Sequence, residues 1–405
     1  MALEMKIGFI FSLTSMYFIT PIHQAQVSSA TISDLSFKNM DFAMNLYRKI
    51  SASHDRNIFF SPLSISTSFA SLLMASDGVT HKELIKGLNL HQLRRADQPE
   101  LIPKLFHFLH GNITQNGSLI LDQAMTLFMD QHFEVEKTFE EQMKRFFGAE
   151  IKTVDFTNTQ GSIRLINEHI KRKTKNKVTE IVSSLDSLTK LMLINTIVFQ
   201  GGWQKPFNSN YTQRASFYID NYNIVQVQMM VKEKDDFYVM EDVAFGVSVL
   251  KIPYQDGVSM LILLPRKGMD YTGIDDEITA ERLLSWVKRL EKNEVEINLP
   301  KFKMVQSYSL PALLSDMGMA SAFSTSANLT RLSKQKSLKV SEALHKAVIE
   351  VDEAGTSAAA VTTIGITPHS LPNTFIVNRP FVFFIYHENT NCVLFMGRVI
   401  DPTKN

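Results

Sequence analysis

The pattern of apolar positions predicts two helices separated by a strand near the start of the chain. Phe42, Leu46 and Ile50 recur every fourth residue and therefore share one helical face. Residues 64–76 are apolar nearly all round, which is typical of a helix buried inside a protein, so we expect a sheet to cover it. Residues 57–61 end the first helix and start a strand.

Later parts of the chain alternate between strand and helix patterns. They predict a long strand at 118–130, a helix marked by Ile163, Ile166 and Ile170, a buried strand at 191–200, and antiparallel hairpins formed by 246–253 with 258–264 and by 381–386 with 393–400. No Pro-rich or Gly/Ser-rich linker and no internal repeat divides these segments. They therefore indicate a single α+β domain.

Composition and motifs disfavour several classes of protein. The 405 residues include 42 Lys plus Arg and 41 Asp plus Glu, so the net charge of +1 argues against a nucleic-acid binder. The lone cysteine, Cys392, excludes an intrachain disulfide and a cysteine zinc site, and we interpret it as a packing residue. His107 and His110 have no third ligand at useful spacing, so no metal site is predicted. The sequence has no GxSxG, HExxH, Walker, GxGxxG or CxxC motif, which leaves a secreted hydrolase as a distant alternative.

The first 25 residues have the pattern of a secretory signal peptide. Lys6 precedes an apolar run at 7–19, and a cleavage site follows near Ala25. We therefore expect a secreted, extracellular protein whose remaining residues, 26–405, form the domain. Four N-glycosylation sequons are consistent with secretion; they begin at Asn112, Asn116, Asn210 and Asn328.

Four basic residues lie close together in and after a predicted helix. Lys82, Lys86, Arg94 and Arg95 could form a heparin-binding surface or an ordinary solvated face, and the sequence leaves both interpretations open. A denser basic run at 171–177 fits the solvated end of a helix, where cations complement the helix dipole.

The segment 350–372 differs from the rest of the chain. It begins acidic, and its residues 355–364 are small or β-branched without a single charge, so they could be buried in a sheet at little cost. Pro368 and Pro372 resist a central strand because each lacks an N–H donor and fixes its own φ angle. The pattern predicts a strand followed by an exposed loop. Such a peptide could lie outside a sheet and enter it later, or it could be an ordinary surface loop.

Four motifs in collinear order resemble those of the serpin family. Residues 353–360 (Glu-Ala-Gly-Thr-Ser-Ala-Ala-Ala) resemble the hinge of inhibitory serpins, and residues 57–66 resemble their shutter. Residues 199–207, with Asn195, resemble the family's central strand and its breach, the entrance through which the loop would enter the sheet. Residues 375–383 resemble the carboxy-terminal signature. The resemblance implies a single-domain serpin fold with a large central mixed sheet, further antiparallel sheets, about nine helices and an exposed reactive-centre loop at about 353–373.

The resemblance also implies a mechanism and its residues. A serine protease would cleave between His369 and Ser370, remain attached as an acyl-enzyme, and be deformed as the freed loop inserts as a new strand. This is suicide-substrate inhibition and not enzymatic turnover. The hinge residues would be Glu353, Gly355, Thr356, Ala358, Ala359 and Ala360. The shutter and breach residues would be Ser61, Ser64, Asn195, Trp203 and His345.

Within the family, residues 48–55, 86–90, 348–353 and 366–370 are most similar to a plasma inhibitor of coagulation proteases. This similarity implies factor Xa as a target, with protein Z as a membrane-bound cofactor. It also implies factor XIa as a second target and heparin as an accelerator. Asp55 and Asp270 match acidic positions of the protein Z contact, whereas Ala52 departs from it.

The residue at the predicted scissile bond also departs from that plasma inhibitor, which has tyrosine where this chain has His369. A histidine with an ordinary pKa of about 6.5 is mostly neutral in plasma and suits a trypsin-like pocket poorly. This favours dependence on a cofactor that supplies binding energy elsewhere, and it also makes chymotrypsin-like targets credible. The rival from another class is a non-inhibitory serpin that carries a small apolar ligand such as a hormone. The small, uncharged residues of the hinge from Gly355 onward favour inhibition over transport.

Overall fold

A computed structural model describes residues 20–115, 120–335, 337–355 and 373–405, with side chains from Ile32 onward apart from Ile120. In these ranges there are nine α-helices: α1 (Thr20–Ser51), α2 (Pro62–Ala75), α3 (Gly78–Gly87), α4 (Leu101–Thr114), α5 (Lys137–Phe147), α6 (Thr159–Lys173), α7 (Thr272–Glu277), α8 (Ala280–Arg289) and α9 (Leu310–Leu314). There are fourteen strands: β1 (Ile58–Phe60), β2 (Ile120–Asp130), β3 (Glu150–Val154), β4 (Leu191–Gln200), β5 (Gln213–Tyr218), β6 (Ile224–Asp242), β7 (Val247–Pro253), β8 (Val258–Pro265), β9 (Glu291–Pro300), β10 (Phe302–Ser309), β11 (Glu342–Val351), β12 (Thr374–Ile376), β13 (Phe381–His387) and β14 (Cys392–Val399). The α+β class predicted from the sequence is confirmed.

The two amino-terminal helices bury the faces that the sequence predicts. Phe42, Leu46 and Ile50 of α1 are at most 1% exposed. α2 is buried along most of its length, as expected for a helix that is apolar nearly all round. It begins where Ser61 caps its first turn, and Pro62 occupies the first helical position, where the missing N–H is harmless. Ala25 lies within α1, and the cleavage predicted near it stays a prediction.

The five-stranded sheet has the order β10-β11-β4-β2-β3 and is mixed. β4 pairs antiparallel with β2, but it pairs parallel with β11 over seven register pairs, from Met192 opposite Glu342 to Val198 opposite Val348. We call this parallel pair the β4–β11 seam. β4 and β11 hydrogen-bond directly to each other, with no strand between them.

The two faces of this sheet contact different parts of the core. Leu193 and Ile197 of β4 belong to the main core, which also contains α1 and α2. Ile194 and Val198 belong to a second cluster with α6, in which Ile166 is fully buried. The period of two along β4 therefore directs Asn195 toward α2.

The nine-stranded sheet contains both predicted hairpins. Its order is β1-β14-β13-β8-β7-β6-β9-β12, with β5 paired to β6. β7 with β8 and β13 with β14 are antiparallel, as predicted, whereas β12 lies parallel to β9. Cys392 is fully buried at the start of β14, and burial raises the pKa of its thiol to about 12, which fits a packing role. Within the described ranges, no helix is both long enough and apolar enough to span a bilayer.

Candidate functional site

A buried polar network crosses the β4–β11 seam and contains all four predicted shutter residues. His345 of β11 and Asn195 of β4 are register partners, and His345 Nδ1 donates to Asn195 Oδ1 at 2.8 Å. Ser64 Oγ also donates to Asn195 Oδ1 at 2.8 Å, while the amide nitrogen of Asn195 donates to Ser64 O and to Ser68 Oγ. Ser61 Oγ donates to Leu394 O at 2.7 Å, which ties the network to β14. The seam is thus fastened to α2 by hydrogen bonds that are almost completely shielded from water.

The tautomer of His345 follows from its two partners. The backbone N–H of Ser61 donates to Nε2 at 3.1 Å, so Nε2 must be unprotonated and the proton sits on Nδ1. The side chain is fully buried, and burial lowers its pKa to about 3. His345 is therefore neutral near pH 7, and a second proton would remove the acceptor that Ser61 uses.

The predicted breach residue Trp203 lies just beyond the carboxyl ends of β4 and β11. Its indole stacks on Tyr254 with ring centroids 4.1 Å apart, and its Nε1–H donates to Asp352 O at 2.9 Å. The backbone N–H of Trp203 donates to Ala354 O at 2.9 Å. Trp203 therefore joins the chain after β4 to the chain after β11, at the point where the seam ends.

Glu353, the first predicted hinge residue, is held by two side chains from elsewhere in the sheet system. Its carboxylate accepts from Lys301 Nζ at 2.7 Å and from Thr212 Oγ1 at 2.7 Å. Burial alone would raise the pKa of Glu353, but these hydrogen bonds outweigh it and lower the pKa below its ordinary value. Its carbonyl oxygen accepts from the N–H of Phe207 at 2.8 Å. The segment predicted to be the hinge thus starts from a fixed, ionised carboxylate.

Gly355 occupies a position that only glycine fits. Its φ is +129°, and a Cβ there would collide with backbone atoms of Gly201 and Gly202 and come within 2.6 Å of Trp203 N. It forms an antiparallel bridge with Gly202, and Asp352 Oδ1 accepts from its N–H at 3.2 Å. The close approach of two glycine backbones holds the start of the loop against the end of β4.

The other predicted hinge residues and the predicted scissile bond lie outside the described residues. These are Thr356, Ala358, Ala359, Ala360, His369 and Ser370. Their roles remain predictions.

Several residues of the network were missed by the sequence reasoning. Ser68 carries no distinguishing signal, because α2 also contains Ser66, Thr67 and Ser71 and nothing in the sequence separates the serine that reaches Asn195 from the others. Lys301 and Thr212 carry no signal either, since each is far from Glu353 in sequence and only the folded sheets bring them together.

The two predicted protein Z contact residues lie on one exposed surface. Asp55 follows α1 and Asp270 precedes α7, and both side chains are exposed. The Arg398 guanidinium donates to His54 O at 2.5 Å and lies 5.3 Å from the centre of the Tyr271 ring, so the segments that carry Asp55 and Asp270 are neighbours. Ala52, which directly follows α1 and precedes Asp55 by three residues, is also exposed.

The predicted heparin-binding residues are exposed but divide between two concave surfaces. Lys82, Lys86 and Arg94 line a shallow pocket together with Ile85 and His91. Arg94 also lines a neighbouring cavity, and that cavity rather than the shallow pocket contains Arg95.

The sequons differ in exposure. Asn112 and Asn210 are exposed, whereas Asn328 is half-buried, and Asn116 lies outside the described residues. Across the described ranges, no group of three or more His, Cys, Asp or Glu residues is arranged to hold a metal ion.

Comparison with known proteins gives a family match and close relatives. The Serpin family model, described as serine protease inhibitor, matches residues 37–402. The mouse protein Z-dependent protease inhibitor is 36% identical over 370 residues, which make up 91% of this chain and 82% of that protein. The human protein Z-dependent protease inhibitor is 36% identical over 375 residues, or 92% of this chain and 84% of that protein.

Solved structures give the same picture of the fold. The crystal structure of mouse protein Z-dependent protease inhibitor matches with a TM-score of 0.86 at 34% identity, covering 93% of this chain and 99% of that one. Human thyroxine-binding globulin complexed with thyroxine matches with a TM-score of 0.86 at 31% identity, covering 92% of this chain and 100% of that one.

Proposed function

Because the chain belongs to the serpin family of serine protease inhibitors, we propose that it is a secreted inhibitor that traps its target protease as a suicide substrate. The predicted family and serpin fold are confirmed. The observation that carries the proposal is the β4–β11 seam. Its two parallel strands contact each other directly, and the anchored Glu353 lies just beyond the carboxyl end of β11.

The topology gives the inserted loop a defined orientation. β11 runs toward Glu353, so a chain that turns back at Gly355 and enters the seam would be antiparallel to β11. Because β4 is parallel to β11, the same chain would be antiparallel to β4 as well. One parallel ladder is then replaced by two antiparallel ladders, which are slightly more stable per residue. About ten additional backbone hydrogen bonds at 0.5–1.5 kcal/mol each would release on the order of 10 kcal/mol.

The chemical step needs only the protease's own machinery. Its serine attacks the carbonyl carbon of His369, an ester forms, and the peptide bond to Ser370 breaks to leave a new amino terminus. Insertion of the loop then carries the attached protease away from its hydrolytic geometry before water can cleave the ester. His369 is a poor residue for a trypsin-like pocket, which makes an additional binding contact important.

Protein Z and coagulation factor Xa are the proposed cofactor and target, with factor XIa as a second target and heparin as an accelerator. The names of the mouse and human relatives support a dependence on protein Z. The shared surface of Asp55 and Asp270 supports it too, because both carboxylates are exposed and available to a partner. The exposed Lys82 and Lys86 support the binding of a sulfated polysaccharide.

The test is incubation of the purified protein with factor Xa, with and without protein Z, phospholipid and calcium, followed by denaturing gel electrophoresis. We expect a band at the summed mass that survives denaturation and forms mainly when protein Z is present. Factor XIa, added without protein Z, tests the second target. Heparin added to either reaction should accelerate formation of the band. Cleavage at His369 without a covalent band would contradict inhibition of that enzyme.

The alternative is a serpin that carries a small apolar ligand such as a hormone. The observation in its favour is the similarity to thyroxine-binding globulin in complex with thyroxine. Neither covalent band nor cleavage with any serine protease, together with saturable binding of thyroxine, would support that alternative and overturn the inhibitor proposal.

A further inference from the structure

A cavity of about 550 Å³ opens beside α3, away from the β4–β11 seam. Its walls come from the ends of α2 and α3, the chain between α3 and α4, the first turns of α4 and α5, and the segment around Arg331. Its volume lies within the range of clefts that hold small organic ligands. None of the predicted hinge, shutter or breach residues lines it.

The inner wall of the cavity is apolar. Leu73, Ile85, Leu93, Ile102 and Phe139 line it and are each at most 7% exposed. These side chains come from α2, α3, α4, α5 and the short helical turn between α3 and α4. Such a wall can bind a hydrocarbon chain or a ring by removing it from water.

The three carboxylates that line the cavity are each paired with a cation. Arg331 pairs with Asp77 at 3.2 Å, and Lys334 pairs with Glu136 at 4.0 Å. A third carboxylate, Glu100 at the start of α4, pairs with Lys104 at 3.2 Å. These pairs leave little negative charge to neutralise further cations at the rim.

Two guanidinium groups remain at the rim. Arg94 and Arg95 both line the cavity and are exposed, and among the described residues neither lies within ion-pair distance of a carboxylate. Arginine presents a planar fork of donors that matches a carboxylate or sulfate. The rim therefore offers an unneutralised anion-binding edge directly above an apolar wall.

We propose that this cavity binds an amphipathic anion, a molecule with one carboxylate or sulfate group and an aliphatic or aromatic body. The anionic group lies against Arg94 and Arg95, and the apolar body lies against the wall formed by Leu73, Ile85 and Phe139. Heparin does not fit this description, because it has many charges and no apolar body. The inference does not depend on protease inhibition.

The first test is isothermal titration calorimetry with decanoate on the unmodified protein. Decanol keeps the apolar chain without the charge, acetate keeps the charge without the chain, and phosphatidylserine vesicles present anionic groups on a lipid surface. We expect decanoate to bind about tenfold more tightly than decanol, as one charge-assisted pair predicts, and acetate to give no measurable heat. Binding of the vesicles in place of decanoate, or no decanoate binding, would overturn the proposal.

Variants then locate the site. Arg95→Gln should weaken decanoate about fivefold to tenfold and leave decanol unchanged, because only the charge contact is lost. Ala96→Trp fills the mouth of the cavity from an exposed position and should weaken both ligands. The matched control is Lys82→Gln, which removes an exposed cation of α3 that does not line this cavity. Equal decanoate affinity in the parent, Arg95→Gln and Ala96→Trp would place the ligand elsewhere and refute the assignment.

Discussion

His345 and Asn195 face each other as register partners across the β4–β11 seam and share a hydrogen bond of 2.8 Å. Any strand that enters the seam must separate these two side chains and provide new partners for them. The same pair therefore stabilises the closed sheet and lies where the proposed insertion would have to separate the two strands.

Removal of the Asn195 amide should destabilise the closed protein. Asn195 makes four hydrogen bonds, with His345, twice with Ser64, and with Ser68. In Asn195→Ala their buried polar atoms lose partners, so the free energy of the first unfolding transition should fall by about 2–4 kcal/mol. Urea denaturation followed by circular dichroism measures the change. The same substitution at the exposed Asn293 serves as the control, and equal urea midpoints for the two variants would contradict the prediction.

Burial of neutral His345 predicts a loss of stability in acid. Its pKa is about 3 in the folded protein, below the ordinary value, so between about pH 3 and pH 6.5 the unfolded chain binds a proton that the folded chain does not. Its contribution to stability therefore falls as the pH is lowered through this window, by about 1.4 kcal/mol per pH unit.

His345→Gln removes the titrating ring. The free energy of unfolding of the variant should therefore fall less steeply in acid, by about 1.4 kcal/mol per pH unit. Urea midpoints measured from pH 7 down to pH 5 provide the comparison. Parallel curves for parent and variant would show that the ring is not buried in its neutral form.

Lys301 and Glu353 should be energetically coupled. Their ion pair is 2.7 Å long, and the carboxylate side chain is 17% exposed. A double-mutant cycle with Lys301→Met and Glu353→Gln should give a coupling of about 1 kcal/mol in the free energy of unfolding. The cycle for the more exposed pair Lys292 and Asp236 should give a smaller value. A coupling of zero for the first pair would mean that Glu353 is not anchored through Lys301.

A single methyl group at Gly355 should change the outcome of the protease reaction. In Gly355→Ala the new Cβ collides with the backbone near Gly202 and disturbs the bridge that starts the loop. The resemblance to inhibitory hinges implies that a side chain at this position slows insertion. Water then has more time to hydrolyse the acyl-enzyme, so the ratio of cleaved chain to covalent complex should rise. Gel densitometry of the reaction products measures this ratio. Gly111→Ala is the control, since nothing lies within 4 Å of the added Cβ, and an equal ratio in both variants would refute the role of Gly355.

Local patterns in the sequence predicted the elements well, because their causes are local. The polar turns between β7 and β8 and between β13 and β14 predict antiparallel pairing without knowledge of the rest of the chain. The nearly continuous apolar run of β4 likewise predicts a strand buried on both faces. The shutter residues came only from the resemblance of residues 57–66 and Asn195 to the family's motifs, because their local pattern does not distinguish them from other buried polar residues.

Contacts that depend on tertiary packing were not predictable in this way. Tyr254 stacks on Trp203 only because the turn after β7 lies beside the chain that follows β4. The parallel placement of β12 on β9 joins segments that are far apart in sequence. The division of the basic residues between two concave surfaces depends on the path of the chain after α3, which follows from packing and not from charge.

The stacking of Trp203 on Tyr254 gives the molecule a built-in optical reporter. The chain has two tryptophans, and the other, Trp286, belongs to α8 and hydrogen-bonds to Asp242 in the nine-stranded sheet. Replacing Trp286 with phenylalanine would leave a single indole, placed where the proposed insertion into the five-stranded sheet would begin. Its emission would then follow the conversion of the sheet in real time, without an attached dye.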